Sequence, residues 1–265
     1  MKKQIKIAMC FASEIRDGYL LHESIKNLLS SNEKYELKVD YFLHTWNHTY
    51  LKDHNNWDEN VINGDLDPSE FSFEKRTIKE RLPADEKKLE LFLNNYNINN
   101  YKIEDEDTYT TILKYNGLEY YGIDYIWLGI NWILEEFIGG NKYDIIICCR
   151  PDICFNPESK LVNNMDTYLE KINDTIFHHE GFMFFSSAEN IKKLVKSIRK
   201  IDSEEINLKL KDYSGEKIFT KFGFNAERFA SGISYNPAIL RPETTHLDPI
   251  KDWDEIYRIN KLLYT

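Results

Sequence analysis

Hydrophobic positions along the chain fall into short continuous runs that alternate with longer helical periodicities. Residues 143–149 lead into an unbroken run of isoleucine and cysteine, which is typical of a strand buried on both faces of a mostly parallel sheet. Residues 3–11 and 37–43 predict two further strands, and residues 174–187 predict a strand, a polar turn and a second strand. The pattern therefore predicts an α/β fold with a mixed, mostly parallel central sheet flanked by helices.

Helical spacing of apolar residues is strongest over residues 121–137, and Gly139 and Gly140 mark the end of that helix. Weaker patterns predict helices at residues 20–29, 78–96, 188–200 and 253–263, and a helix or a loop at residues 161–171. Residues 50–118 form the least regular part of the chain, and their acidic segment 103–111 is predicted to be exposed.

A charged pair follows the most strongly predicted strand. Residues 143–149 end at Arg150-Pro151-Asp152, and a proline cannot donate a hydrogen bond to a central ladder, so the strand should stop there. Open α/β sheets bind ligands just beyond the carboxyl ends of their strands. Arg150 and Asp152 are therefore candidate site residues, and a strand end with a surface ion pair is an equally good interpretation.

The loop at residues 12–18 contains Arg16 and leads into a helix, so backbone N–H groups and a guanidinium could together bind an anion; an ordinary strand–helix loop is the alternative. The loop lacks GxGxxG, the fingerprint of dinucleotide binding. The second strand runs into polar and aromatic residues from His44 to Trp46, which are expected at the same sheet edge as Arg16. His44 and His48 are four residues apart, but this spacing favours zinc on a helix and not in a strand and loop.

The composition limits the kinds of partner. A net charge of −10 argues against a nucleic-acid backbone. No apolar run reaches the roughly 18 residues of a membrane span, and the N-terminus does not predict a signal peptide. The four cysteines lack zinc-ligand spacing and fall in or beside predicted strands, which favours buried reduced thiols and a cytoplasmic location.

His178, His179 and Glu180 are the densest group of titratable residues. In one interpretation Glu180 is a general base and either histidine a proton shuttle; in the other, they form a solvent-facing turn. His246 lies in an irregular C-terminal segment from which it could close over a site, although a surface histidine is the commoner outcome. Residues 65–67, Asp-Leu-Asp, have the spacing of a metal motif, but the flanking glycine and proline favour a turn or helix cap.

Four separated segments resemble the motifs of a group of sugar transferases found in bacterial polysaccharide loci and in large DNA viruses. Residues 6–16 resemble that group's "KIAxxxSGxxR" start, and residues 39–46 resemble its "vDiFiHTW" strand. Residues 143–152 resemble "YDlVirxRpD", and residues 180–187 resemble the "DxfxfGsxexm" strand that follows it. Order and approximate spacing agree over roughly residues 3–200.

The resemblance implies a GT-A-type glycosyltransferase that moves a sugar from a nucleotide-sugar to a glycan or another hydroxyl acceptor. It implies a single compact domain with two subregions. Residues 1–155 would be the Rossmann-like half that binds the nucleotide-sugar. Residues 156–265 would be the acceptor-binding half with the C-terminal helix.

The resemblance also implies roles for particular residues. The donor would contact Phe11, Ala12, Ser13, Arg16, His44, Trp46 and Arg150. Mn²⁺ or Mg²⁺ would bind Asp152, with His246 as a further candidate ligand. An inverting enzyme would use Glu180 or His179 as the base that deprotonates the acceptor, whereas a retaining enzyme would not need that base.

Two positions depart from the motifs of the group. Glu14 stands where a glycine usually follows the serine, and Arg150-Pro151-Asp152 provides one carboxylate in place of a full Asp-x-Asp. Two alternatives therefore stay open. One is a non-catalytic module that binds a nucleotide or a glycan. The other is a sugar nucleotidyltransferase, which the first loop disfavours because Gly18 is its only glycine.

Overall fold

The computed structural model describes residues 2–15, 18–52, 78–105, 122–140, 142–179, 183–198, 219–220, 222–229 and 234–235, and every structural statement below refers to this part of the chain. Its strands are β1 Lys3–Ala12, β2 Tyr35–Trp46, β3 His48–Lys52, β4 Ile78–Pro83, β5 Asn100–Glu104, β6 Ile145–Cys149, β7 Cys154–Phe155, β8 Thr175–His179, β9 Met183–Ser186, β10 Asn225–Arg228 and β11 Ser234–Tyr235. Its α-helices are α1 His22–Leu28, α2 Glu86–Tyr96, α3 Gly122–Ile133, α4 Met165–Lys171 and α5 Ala188–Ile198. Shorter helical segments are the 3₁₀ turns Gly18–Leu20 and Leu161–Asn164 and the π-helical turn Leu134–Ile138, which continues α3.

Seven strands form one sheet in the order β10-β8-β9-β6-β1-β2-β5. β1 runs parallel to both of its neighbours, β2 and β6, and β2 is parallel to β5. β9 is antiparallel to β6 and to β8, while β10 is parallel to β8. β9 is therefore the one reversed strand of this sheet, which confirms the predicted mixed, mostly parallel architecture. The sheet combines strands from both sides of residue 155.

Helices cover both faces of the sheet because side chains alternate along each strand. In β1, Ile7, Met9 and Phe11 face one hydrophobic core, and Ala8 and Cys10 face another. The first core also takes side chains from α1, α2 and α4, and the second takes side chains from α3 and α5. The molecule thus has three layers. β6 is buried on both faces, as its apolar run predicted, and β1 is buried on both faces from Ile7 onward.

The direction of winding changes at β1. The chain passes from β1 to β2 and on to β5 through α1 and α2, which pack on the first face. It then crosses on the second face through α3 and returns to the other side of β1 as β6. In doubly wound sheets such a reversal opens a crevice beyond the carboxyl ends of the two strands that flank it. Here those strands are β1 and β6.

The prediction of one helix over residues 78–96 is wrong in its first part. Ile78–Pro83 is strand β4 and pairs antiparallel with β3. The helix begins only at Glu86, after Asp85, whose side chain accepts hydrogen bonds from the backbone N–H groups of Lys87 at 2.9 Å and Lys88 at 3.2 Å. An aspartate in this position satisfies N–H groups that the first helical turn leaves without partners, so it fixes where the helix starts.

A strand that the sequence did not predict begins just before the segment 103–111, which was predicted to be acidic and exposed, and includes the first two residues of that segment. Asn100–Glu104 forms β5 and pairs with the last five residues of β2, which extends to Trp46 instead of ending at residue 43. β5 is an edge strand with no buried residue, so no apolar pattern marks it. Its presence places His44 and Trp46 inside the sheet and not in a loop.

The strongest helix prediction is confirmed by α3 and its π-helical continuation, which together span residues 122–138. None of the described helices is both long enough and apolar enough to cross a membrane. The helix predicted at residues 253–263 lies outside the described residues.

Candidate functional site

Three of the predicted segments meet at the carboxyl edge of the sheet. Ala12 of β1 is in register with His44 of β2, and Phe11 is in register with Cys149 of β6. Ser13 and Arg150 directly follow these paired positions, and the backbone N–H of Ser13 donates to the carbonyl of His44 at 3.3 Å. The structure therefore brings the first loop, the end of β2 and the turn after β6 together at the change of winding direction.

Arg150 and Asp152 form a two-pronged ion pair in that turn. Arg150 Nε donates to Asp152 Oδ1 at 2.9 Å, and Arg150 Nη2 donates to Asp152 Oδ2 at 2.7 Å. The Asp152 side chain is 1% exposed and the Arg150 side chain is 15% exposed. The carboxylate is thus enclosed in the protein, and the Arg150 side chain is the member of the pair that is partly exposed. The pair is therefore largely buried and is not the surface ion pair that the sequence allowed as an alternative to a site.

Residues of the segment that follows β1 hold the turn at Arg150–Asp152 in place. A Cβ atom placed on Gly18 would lie 2.4 Å from the carbonyl oxygen of Pro151, so the two backbones touch. Ser24 of α1 is buried, and its Oγ accepts from the N–H of Phe155 at 2.7 Å and donates to the carbonyl of Phe155 at 3.1 Å. Asn27 Nδ2 donates to the carbonyl of Pro157 at 2.5 Å. These contacts hold the ion pair in one position relative to β1.

Ser13 has a strained backbone. Its φ of 140° lies in a region that glycine adopts easily and other residues rarely adopt. Such strain is frequent at functional sites, where the surrounding structure holds the residue in place. Aligned letter by letter on residues 6–16, the motif KIAxxxSGxxR has its glycine at Ser13 itself and not at Glu14, which corrects the expectation above. The structure and the motif therefore place the need for backbone freedom at the same residue.

Replacing Ser13 with glycine is expected to raise the free energy of unfolding by about 1 kcal/mol, because the release of strain exceeds the added entropy of glycine in the unfolded chain. Chemical denaturation of Ser13→Gly and Ser13→Ala, compared with wild type, measures this. Alanine retains the strain and serves as the matched control. A glycine variant no more stable than the alanine variant would contradict the assignment of strain to this residue.

His44 lies in the layer between the sheet and α3 and not at the surface. It is 1% exposed, and its Nε2 is 2.7 Å from Glu104 Oε2. Its Nδ1 is buried with no hydrogen-bond partner among the described atoms, and a Cβ on Gly129 of α3 would lie 2.8 Å from it. Because Nδ1 has no acceptor beside it, we infer the tautomer in which Nε2–H donates to the Glu104 carboxylate.

Aromatic and charged residues complete the surroundings of His44. Trp46 is 4% exposed and its ring meets His44 edge-on at 5.0 Å, and the Trp132 ring lies 5.8 Å from the histidine. Lys102 forms an ion pair with Glu104 and lies over the Trp132 ring at 4.7 Å. Sequence reasoning missed Glu104 and Lys102 because it missed β5. The signal that could have found them is the alternation of charged residues along an edge strand.

Phe11 and Ala12 contribute backbone, and not side-chain surface, to the carboxyl edge. Both are fully buried. Phe11 packs in the first core, edge-on to Phe92 at 5.2 Å and 5.0 Å from Tyr96, whereas Ala12 belongs to the second core beside Gly129. Ser13 is the first residue of this segment with a partly exposed side chain.

The predicted acid–base residues lie only partly within the described chain. His179 is half-buried at the end of β8, in register with Met183 of β9. β8 is parallel to β6 and separated from it by β9, so His179 is at the same sheet edge as Arg150, two strands away. His178 is buried, with its ring 5.4 Å from Phe219. Arg16, Glu180, His246 and residues 65–67 lie outside the described residues.

Among the described residues, the side chains around Asp152 do not suit the binding of a divalent cation there. Both of its carboxylate oxygens accept hydrogen bonds from Arg150, whose positive charge would repel a metal ion at the same place. Within the described ranges, no group of three His, Cys, Asp or Glu side chains is placed to hold a metal ion.

A groove of about 680 Å³ lies at the opposite, amino-terminal side of the sheet. It forms beside the first half of β2, where β5 does not extend, and its lining includes Lys38, Asp40, Asn99 and Tyr143. None of the predicted site residues lines it.

The chain matches no protein-family model and no curated protein, so the assignment of a function rests on the residues at the carboxyl edge.

Proposed function

We propose that the protein is a glycosyltransferase that moves a sugar from a nucleotide-sugar to a hydroxyl acceptor. The observation that carries this proposal is the Arg150–Asp152 pair, fixed just beyond the carboxyl end of β6 at the change of winding direction. Doubly wound sheets bind nucleotides in this position, and a guanidinium suits a diphosphate. The chain's net charge of −10 gives no general attraction for anions, so a local cation is needed.

For glycosyl transfer, the protein must mainly position the two substrates and stabilise the charge on the leaving group. The bond between the anomeric carbon of the sugar and the diphosphate oxygen breaks, and the electron pair leaves with the nucleoside diphosphate. The acceptor oxygen forms the new bond to the anomeric carbon and gives its proton to a base. A cation beside the diphosphate lowers the barrier by stabilising the charge that develops there. In this proposal Arg150 supplies that charge.

The two ends of the sheet edge suggest where the substrates lie. The nucleoside would lie over the carboxyl ends of β1 and β2, beside Ser13 and the surface above His44. The acceptor would approach from the side of β8, where His179 ends its strand. His179 and Glu180 remain our candidates for the base of an inverting reaction. The GT-A assignment belongs to this proposal and is supported by the resemblance of the four motifs.

A thermal-shift screen of UDP-, GDP-, CMP- and dTDP-sugars tests the proposal. At a ligand concentration of about 100 times Kd, binding adds about 2.7 kcal/mol to the free energy of unfolding. For a chain of this size that corresponds to a rise in Tm of roughly 5 °C or more. Arg150→Gln should reduce the shift, whereas Lys38→Gln, in the groove on the other side, should leave it unchanged. The absence of a shift with every nucleotide-sugar would refute the proposal.

A non-catalytic nucleotide-binding module is the second candidate, favoured by the engagement of the Asp152 carboxylate with Arg150. The two functions differ in turnover. A transferase that binds a nucleotide-sugar releases the nucleoside diphosphate in the presence of acceptor, and slowly by transfer to water in its absence. Tight binding with no release of nucleoside diphosphate, with an acceptor mixture or without it, would favour the module.

A further inference from the structure

We infer that Arg150, positioned by Asp152, binds the diphosphate of the donor without the help of a divalent cation. This inference rests on the proposed function and concerns the same site. It replaces the expected metal site on Asp152, which the described donor atoms do not fit.

The first argument is the orientation of the ion pair. Both oxygens of Asp152 face the guanidinium, at 2.9 and 2.7 Å, and the carboxylate is 1% exposed. An approaching ligand can therefore reach the Arg150 side chain, which is 15% exposed, more readily than the carboxylate. The fork on Asp152 fixes the plane of the guanidinium, so the direction of its N–H donors is set before a ligand arrives.

The second argument is the free-energy cost of binding a metal ion to Asp152. To bind a metal ion, Asp152 would have to release Arg150, and separating a buried charge pair leaves an uncompensated charge in the protein. A metal ion beside the intact pair would instead lie close to a second positive charge. In Arg150-Pro151-Asp152, Arg150 stands where an Asp-x-Asp motif would have its other carboxylate. A cationic side chain therefore takes the position of a metal ligand.

The third argument is that the turn is held rigidly. Gly18 touches the carbonyl of Pro151, and Ser24 holds both backbone polar groups of Phe155. A cation that is fixed before the ligand arrives needs no rearrangement when it binds the diphosphate. Asp152 is thus a positioning residue for Arg150.

Calorimetric titration of the full chain with UDP and GDP, and with uridine and guanosine, tests this inference. Wild type, Arg150→Gln, Arg150→Lys and Asp152→Asn are each titrated in EDTA and again in Mn²⁺. We expect wild type to bind one diphosphate in EDTA within about threefold of its affinity in Mn²⁺. Arg150→Gln should weaken the diphosphate by about tenfold or more, as the loss of a charge-assisted contact predicts, and leave the nucleoside unchanged. Arg150→Lys should restore part of the loss, because it keeps the charge without the planar fork.

Three outcomes would overturn the inference. Binding that disappears in EDTA, returns with Mn²⁺ and is lost in Asp152→Asn would place a metal ion on Asp152 and leave the proposed function standing. Equal weakening of diphosphate and nucleoside in Arg150→Gln would show that Arg150 supports the fold and not the ligand. No binding of UDP or GDP in either condition would overturn the inference for these diphosphates. If, in addition, no nucleotide-sugar of the thermal-shift screen binds, the proposed function is refuted with it.

Discussion

Replacing Phe11 with alanine is expected to lower the free energy of unfolding by about 3–5 kcal/mol, the usual cost of removing a buried aromatic ring. The ring is fully buried in the first core, 5.2 Å from the ring of Phe92 and 5.0 Å from that of Tyr96. Alanine would leave a cavity among side chains from β1 and α2, which are held by the surrounding sheet and helix and can close it only in part.

Chemical denaturation of Phe11→Ala measures this loss, with Phe11→Leu as the matched control. Leucine retains most of the apolar volume and should cost clearly less than alanine. At a temperature where both variants are folded, their affinity for a nucleoside should match that of wild type, because the ring does not reach the carboxyl edge. A variant with unchanged stability but weaker nucleoside binding would restore Phe11 as a ligand contact and contradict the buried role.

Replacing Gly18 with alanine is expected to lower the free energy of unfolding by about 1–3 kcal/mol or more, the range of overpacked sites. The added Cβ would lie 2.4 Å from the carbonyl oxygen and 2.9 Å from the carbonyl carbon of Pro151. These are backbone atoms, so they cannot move aside as a flexible side chain would. Pro151 would have to shift, and it lies between Arg150 and Asp152.

The Gly18→Ala variant should therefore lose ligand affinity as well as stability, because the displaced turn carries the guanidinium. Gly140→Ala is the matched control, since a Cβ at that exposed position meets nothing within 4 Å. Its stability should stay within about 0.5 kcal/mol of wild type. Equal stability of the two variants in chemical denaturation would contradict the close contact between Gly18 and Pro151.

The elements that could be predicted from the sequence are those with strong patterns. The run at residues 145–149 is apolar because β6 is buried on both faces, and α3 has its apolar residues at helical spacing because it covers the second core. β4 and β5 could not be predicted in the same way. β5 is polar and at the sheet edge, and its pairing depends on β2, which is distant in sequence. An edge strand such as β5 forms by pairing with its neighbour, and its own sequence need not show an apolar pattern.

The position of the candidate site could be predicted, but the direction of its side chains could not. The ends of β1, β2 and β6 meet as expected of parallel strands. Phe11 and Ala12, however, are neighbours in a strand, so their side chains point to opposite faces and cannot line one cleft together. The engagement of Asp152 with Arg150 is likewise a matter of side-chain geometry that the motif alone does not determine.

A crystal structure of the chain with bound nucleoside diphosphate, chosen to match the nucleoside diphosphate-sugar that gives the largest thermal shift, tests the central claim most directly. The claim predicts that the diphosphate lies at the carboxyl ends of β1 and β6, with phosphate oxygens within about 2.7–3.2 Å of the Arg150 guanidinium and beside Ser13. A diphosphate bound instead in the groove beside Lys38 and Asn99, at the amino-terminal side of the sheet, would contradict it.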